Sequence, residues 1–407
     1  MPSLDPVDPR ALGRRIAEAR KARGMTQEEV AGHLGCSRPT YIAIEKGDRP
    51  LKSDELLGLA RLLGRRVHEL VRPGEPVVEL RPHLRAAVGR TRERDESALS
   101  EGIDELQRFA EDYRELETLM NAPLRMNYPP EVKLSARLDV TQLAETVAME
   151  ERLRLGLGDQ PVWNLRGILE WVVGLRIFYW ALPSAVAGMY AYTPEIGCCI
   201  LVNRKHPAVR RRASLLHEYG HLIVDRYKPG IDYLSRSGRK PANERFAEGF
   251  ALGFLMPANS VRQQFNAIVT STDDFTVADL CRLSHFYFVS VEAMCLRLEQ
   301  LGLTPRGMWQ SLKESGLAPQ TAARLLDLPS HPASNEPFPE RYKNLAALAF
   351  EKEKISQGRL ARFLRCDPVT AREIVARCLA SPLVGDDGEQ RDFQFTEFQR
   401  SLLAEVK

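Results

Sequence analysis

Three scarcities bound this chain before any motif is weighed. No apolar run approaches the ~20 residues needed to cross a bilayer, and Met1 to Arg10 lacks the basic-then-apolar plan of a secretory leader. A cytoplasmic chain with no membrane contact is expected. Cysteine is sparse and odd in number, seven in 407 residues with no paired metal-type spacing, which argues against a disulfide framework and for free buried thiols. Cys198 and Cys199 fall on an expected strand, so they face opposite ways and cannot share a metal. Neither sign of charge dominates: 57 Lys and Arg against 54 Asp and Glu leave +3, which permits nucleic-acid binding without arguing for it. The 44% hydrophobic and 27% charged content is that of a soluble globular protein, and the length calls for two to four domains.

Histidine is also scarce, eight in the whole chain, yet two stand four apart inside an apolar run, in His217-Glu218-Tyr219-Gly220-His221. Residues four apart share a helix face, so both imidazoles point at one centre, the spacing of a zinc clamp. Glu218, one step round, is placed to deprotonate a water as general base without ligating the metal. A zinc site needs a third protein ligand and leaves a fourth position for water. A second helix, Asn243 to Met256 with Pro257 as its stop, puts Glu244 and Glu248 on one face. One can ligate while the other orients a histidine, and Glu244 is the favoured ligand. The plainer alternative is a histidine pair satisfied within a core.

This constellation resembles the ImmA/IrrE family of zinc metallopeptidases. The resemblance rests on His217 to His221, on Glu-x-x-Ala-x-x-Phe-Ala-x-x-Phe-Leu-Met-Pro at Glu244 to Pro257, and on Ser-Val-Glu-Ala-Met-Cys-Leu-Arg-Leu-Glu-Gln-Leu-Gly at Ser290 to Gly302. It implies a gluzincin-like domain in which His217, His221 and Glu244 hold Zn2+ and Glu218 is catalytic. Glu248 stands where the family commonly has Asn or Asp, which leaves the ligand assignment open between Glu244 and Glu248. Trp163 to Val173 reads as helix, then Leu175 to Trp180, Val186 to Tyr192 and Cys199 to Asn203 as short strands, giving a zincin-like α+β plan. The strand ending at Asn203 is the expected edge for aligning an extended peptide. Residues 225 to 242 read as a loop covering the cleft, with Tyr227 or Tyr233 as oxyanion donors. Arg204, Lys205, Arg210, Arg211 and Arg212 read first as a solvated helix start, and otherwise as a surface for DNA or an acidic substrate. His206 and His285 lack partners at ligand spacing.

At the N-terminus, Leu12, Ile16 and Ala19 give one helix closed by Gly24. Thr26-Gln-Glu-Glu29 forms a capping box for a second, Ser37 caps a third that ends at Gly47, and a fourth runs from Ser53 to Leu63 with Leu56, Leu57, Ala60 and Leu63 inward. Two short helices about a tight turn have the helix-turn-helix plan. Met25-Thr-Gln-Glu-Glu-Val-Ala-x-x-Leu-Gly-Cys-Ser-Arg-Pro-Thr-Tyr-Ile-Ala-Ile-Glu-Lys-Gly47 resembles the Cro/repressor (XRE) class, a likeness covering residues 10–72. It implies that Ser37, Arg38, Thr40 and Tyr41 begin the recognition helix, that Arg38 reads guanine, and that Gln27 and Lys46 position the phosphate backbone. Packing is the plainer role for Tyr41. Residues 1–72 carry 14 Lys and Arg against 10 Asp and Glu, a balance of +4, so a monomer would bind weakly and a homodimer is the usual remedy.

Prolines mark a linker over 73–92 and a break over 121–135. Between them Leu99, Ile103, Leu106, Phe109, Tyr113, Leu116 and Leu119 mark an amphipathic helix from Glu96 to Met120, and a further helix spans about Arg137 to Leu155. A linker is expected at His331 to Pro339. Beyond it, Ile355-Ser and Asp367-Pro-Val-Thr start a helix pair suited to packing or partner binding. The expectation is a mainly α, multidomain chain: an XRE helix-turn-helix domain at 1–72, a linker and helical connector at 73–160, an ImmA/IrrE-like metallopeptidase domain at 161–302 and a C-terminal helical domain at 303–407. Double-stranded DNA and a repressor protein, the latter as peptidase substrate, are the expected partners. The alternative is a transcription factor whose zincin-like domain is a non-proteolytic sensor or a scaffold for another protein, as in an antitoxin.

Overall fold

The first three helices start where a polar side chain, that of Asp8, Thr26 or Ser37, satisfies a free amide. Thr26 accepts from the Glu29 amide while Glu29 reaches back to the Thr26 amide, opening Gln27–His33; Ser37 accepts from Thr40 to open Arg38–Lys46, which ends at left-handed Gly47. The computed structural model describes residues 8–65, 67–71, 80, 93–135, 139–228, 230–233, 240–331, 334–379, 382–384 and 390–392. The chain divides into two compact units, Met1–Gln107 and Arg108–Lys407.

The first unit holds α1 (Pro9–Ala22), α2 (Gln27–His33), α3 (Arg38–Lys46), α4 (Ser53–Leu62) and α5 (Val67–Val71). Ile16, Val30, Tyr41, Ile44, Leu59 and Leu63 form its core. Leu57, expected inward, is exposed, and Leu59 takes that place because it shares a face with Leu63 four residues on. Arg20 on α1 bonds Glu45 on α3 at 2.6 Å, and Gln27 donates to the same carboxylate at 2.8 Å. The linker expected at 73–92 lies outside the described residues apart from Leu80, whose amide donates to Gln107.

The division falls inside α6 (Glu93–Met120), whose expected apolar stripe is buried from Leu99 to Leu116. The second unit continues with α7 (Val140–Arg154) and α8 (Leu165–Ile168), which runs into a π-helical turn over Leu169–Val173. Strands β1 (Arg176–Trp180), β2 (Val186–Thr193) and β3 (Gly197–Asn203) follow, then α9 (Ala208–Val224), β4 (Gly230–Tyr233) and α10 (Ala242–Leu255). The sheet order is β1-β3-β2-β4, with β1 parallel to β3 and the other pairs antiparallel. This corrects the expected edge. β3 is buried along its whole length because it pairs on both sides, as its unbroken apolar run allows, and the edges are β1 and β4.

Helices α11 (Ala258–Thr272), α12 (Val277–Phe286), α13 (Val291–Gln300), α14 (Met308–Glu314) and α15 (Pro319–Leu325) precede α16 (Glu340–Glu351), α17 (Gln357–Leu364) and α18 (Pro368–Leu379). A short hairpin, β5 (Pro382–Val384) with β6 (Gln390–Asp392), was not expected. The C-terminal helices belong to the second unit rather than forming their own. They close on the far half of α6: Glu117 pairs with Arg176 at 2.8 Å and Arg341 at 2.9 Å, Asp112 with Arg365 at 2.8 Å, and Tyr113 meets Tyr342 edge-on. Within the stretch expected as a linker at 331–339, Pro337 accepts from the Tyr179 amide and Phe338 is buried. All seven cysteines are free, and among the described residues no helix is long and apolar enough to cross a membrane.

Candidate metal centre

Helix α9 is buried on nearly every side through its second half, which is why its sequence is apolar apart from the motif. His217 and His221 stand on one face, and α10 lies against that helix with Glu244 in its first turn. The close approach depends on Gly220: a Cβ there would lie 2.9 Å from the Ala247 Cα. His217 Nε2 and His221 Nε2 are 3.1 Å apart, and Glu244 Oε2 is 3.4 Å from the first and 3.8 Å from the second. A tetrahedral zinc with bonds of about 2.0–2.1 Å holds its donors roughly 3.4 Å apart. Two imidazole nitrogens and a carboxylate oxygen at these spacings fit zinc, and among the described residues this is the one group of three so placed.

Asp225 backs the site. Its Oδ2 is 3.9 Å from His221 Nδ1, and it accepts from Asn243 at 2.7 Å and from Lys228 at 3.1 Å. Bonding to His221, helped by Asn243 and Lys228 against burial, brings the Asp225 carboxyl down to about 2. Burial opposes charge on His221, but Asp225 and Glu244 outweigh it and push the imidazole up to about 10. Bonding to His217 and His221 holds Glu244 well below the usual carboxylate range. Tyr190 stacks on the His221 ring at 5.7 Å and donates to the Asp225 carbonyl at 2.7 Å, which fixes the ring plane. Asp232 on β4 comes within 4.0 Å of His217.

Glu218 is 1% exposed, and neither carboxylate oxygen has a hydrogen-bond partner among the described residues. Burial, reinforced by Asp232 and Glu244 and opposed by His221, drives its pKa well up. It faces Gly188 of β2, where a Cβ would come within 2.9 Å of Glu218 Oε1. Glu248, the alternative ligand, lies outside the group: it is half-exposed and pairs with Lys240. The orienting role expected of it falls to Asp225, which follows His221 by one helical turn and so was visible in the spacing. Tyr227 is 61% exposed and packs edge-on against Tyr192, so it does not supply the expected donor; the Tyr233 side chain lies outside the described residues.

In the first unit, Ser37, Arg38 and Lys46 are exposed on or beside α3, and Thr40 bonds the Ser37 hydroxyl at 2.8 Å. Gln27 is half-buried and donates to Glu45. Tyr41 corrects the expected DNA-contact set: it is 0% exposed in the helical core, so packing is its role.

The arrangement is a helix-turn-helix bundle and, further along the chain, an α+β unit of metallopeptidase-like type. The IrrE N-terminal-like domain family matches residues 172–299, the span holding His217, Glu218, His221 and Glu244, and a helix-turn-helix domain family matches 11–72. The chain is thus similar to XRE-type helix-turn-helix proteins over its N-terminal stretch and to ImmA/IrrE-type domains over its middle, two matches that together cover less than half of its length. The cryptic phage CTXphi transcriptional repressor RstR of Vibrio cholerae is 35% identical over 65 residues, 16% of this chain and 59% of that protein. The chain thus spans little more than half the length of that relative. Two solved structures align over 91% of the chain: ComR from Streptococcus suis (12% identity, 89% of that chain, TM-score 0.15) and Bacillus thuringiensis PlcR in complex with the peptide PapR7 and DNA (10%, 94%, TM-score 0.16). At those scores neither bears on the fold.

Proposed function

We propose that this chain is a DNA-binding regulator whose second unit is a zinc-dependent endopeptidase that cleaves a repressor protein and so relieves repression. The observation that carries the reading is the convergence of His217, His221 and Glu244 beside a buried Glu218 that has no hydrogen-bond partner among the described residues. His217, His221 and Glu244 would hold the metal, with Asp225 and Tyr190 keeping the His221 ring in place. Bound zinc supplies Lewis acidity. Glu218 takes the proton of the attacking water and returns it to the leaving amine, a transfer favoured by the apolar walls that raise its proton affinity. Edge strand β4, carrying Asp232 beside the histidines, is the proposed template for an extended substrate. The helix-turn-helix supports double-stranded DNA as a partner, with Ser37, Arg38, Thr40 and Lys46 as the contacting set and a homodimer as the binding form; the likeness to a phage repressor supports the same reading.

The test is metal content of wild type and His217→Ala, with each protein incubated with a helix-turn-helix repressor of the same organism as candidate substrate. Near-stoichiometric zinc, lost in the variant along with cleavage, supports the peptidase. Glu218→Gln should keep zinc and lose cleavage by about 10²–10⁴-fold. Zinc without cleavage would move the reading to a metal-holding sensor, and no zinc would refute it.

A further inference from the structure

The basic cluster ahead of the metal helix does not behave as a solvated helix start. Arg204, Lys205 and Arg210 are exposed, but Arg211 and Arg212 are each only 7% exposed. They line a cavity of about 100 Å³ with Arg166, Tyr179 and Ala208, at the beginning of α9. We propose that this cavity binds a small oxyanion, a phosphate or the phosphate group of a metabolite.

The first argument is charge. Of the buried arginines elsewhere in this unit, Arg176 has Glu117 and Arg297 has Glu145, while Arg152 stands alone among the carbonyls of Gly158, Gln160 and Phe254. Arg166 has Glu170 at 2.6 Å. Arg211 and Arg212 stand side by side with no acidic partner among the described residues: Arg211 donates to the His206 and Ser334 carbonyls and lies over the Tyr179 ring, and Arg212 donates to Val162, Trp163 and Phe288 and lies over the Phe288 ring. Dipoles satisfy hydrogens but leave two positive charges uncompensated at low dielectric. Burial pulls both arginines down, Arg212 to about 10.

The second argument is shape. The cavity ends at the first turn of a 17-residue helix that no side chain caps, where amides and the helix dipole favour an anion. Its volume holds several waters or one polyatomic anion, and is too small for a peptide strand or a nucleic-acid backbone. Exposed Trp163 and Asn164 stand at the cavity, giving a ligand access from solvent. Arg211 lies six residues before His217 on one helix, so an occupant would brace the element that carries the metal ligands.

The experiment is isothermal titration and thermal melting of the full chain with inorganic phosphate, glycerol phosphate and acetate against chloride, at constant pH and ionic strength. The helix-turn-helix also attracts phosphate, so two variants locate the site. Arg211→Met keeps the stem and removes the charge; Ala208→Asp places a carboxylate at the cavity wall without deleting any arginine. Saturable phosphate binding that weakens about tenfold or more in both variants supports the site. The phosphomonoester arm decides whether the ligand is free phosphate or a phosphorylated metabolite. Absence of binding in wild type, or unaltered binding in Ala208→Asp, overturns the proposal, even if Arg211→Met fails to fold.

Discussion

Gly220→Ala separates two effects of opposite sign. In a helix interior, alanine is favoured over glycine by about 1 kcal/mol, so on propensity alone the variant should be more stable. At this position the new methyl would lie 2.9 Å from the Ala247 Cα and 3.2 Å from its Cβ. Carbon contacts relax to about 3.5–4.0 Å, so α9 and α10 must part by roughly 0.6–1 Å. Overpacking of this kind costs about 1–3 kcal/mol, enough to reverse the propensity gain. The larger effect falls on the metal. Glu244 lies one turn before Ala247, and its 3.4 and 3.8 Å separations from the histidine nitrogens would lengthen by much of that shift, against a tolerance of about 0.2 Å for a metal–ligand distance. Zinc affinity, measured by competition with a chromophoric chelator, should fall by about 10–100-fold, with a lower melting temperature for the metal-free protein. A variant that melts higher and holds zinc as tightly as wild type would refute the claim that helix proximity assembles the site.

Asp225→Asn should weaken zinc by about 10–100-fold in the same competition assay while leaving the fold intact, because it removes the carboxylate behind His221 and keeps an amide for Asn243. Tyr41→Ala should cost about 3–5 kcal/mol in denaturant titrations, whereas Tyr41→Phe should keep wild-type DNA affinity; a specific loss of DNA binding in a well-folded Tyr41→Phe would restore the contact role. His331 is brought down to about 4, chiefly by burial and then by His285 and Arg212, and neither ring nitrogen has a hydrogen-bond partner among the described residues. Its folded value lies below the ordinary histidine value, so the unfolded chain binds more protons between about pH 4 and 6.5 and stability rises with pH across that window. His331→Phe, which can keep the stack on Phe288, should flatten that slope in urea melts; an unchanged slope would assign it to other groups.

The helix starts were legible because caps are local: Thr26, Ser37 and Ser356 announce themselves by a side chain within three residues of the amide they bond. The metal ligands were legible for a related reason, since helical spacing places His217, His221 and the Glu244 face without knowledge of the fold. Strand order was not. Alternation and apolar runs say that β3 is buried, but a run bounded by turns does not record its partners, and β3 became the centre only once β1 paired with it in parallel. Strand β4 is short and contains Gly230 and Asp232, so it carries little strand signal of its own.

Charged residues mislead most, because a buried arginine and a solvated one are written with the same letter. Arg176 and Arg341 converge on Glu117 from 59 and 224 residues away, and no local pattern encodes that meeting. Glu117 therefore sat unremarked on the polar side of an amphipathic helix whose far half is enclosed. Burial alone does not separate structural cations from functional ones either. Arg176 and Arg297 are buried with a carboxylate supplied by the chain, and Arg152 is buried among carbonyls. Arg211 and Arg212 are buried side by side with no acidic partner among the described residues, next to open volume. The informative quantity is the charge balance of the enclosed space. By that measure the start of α9 carries positive charge in excess of the acids described around it, while the metal centre on the same helix gathers carboxylates in excess of its histidines, as suits a cation.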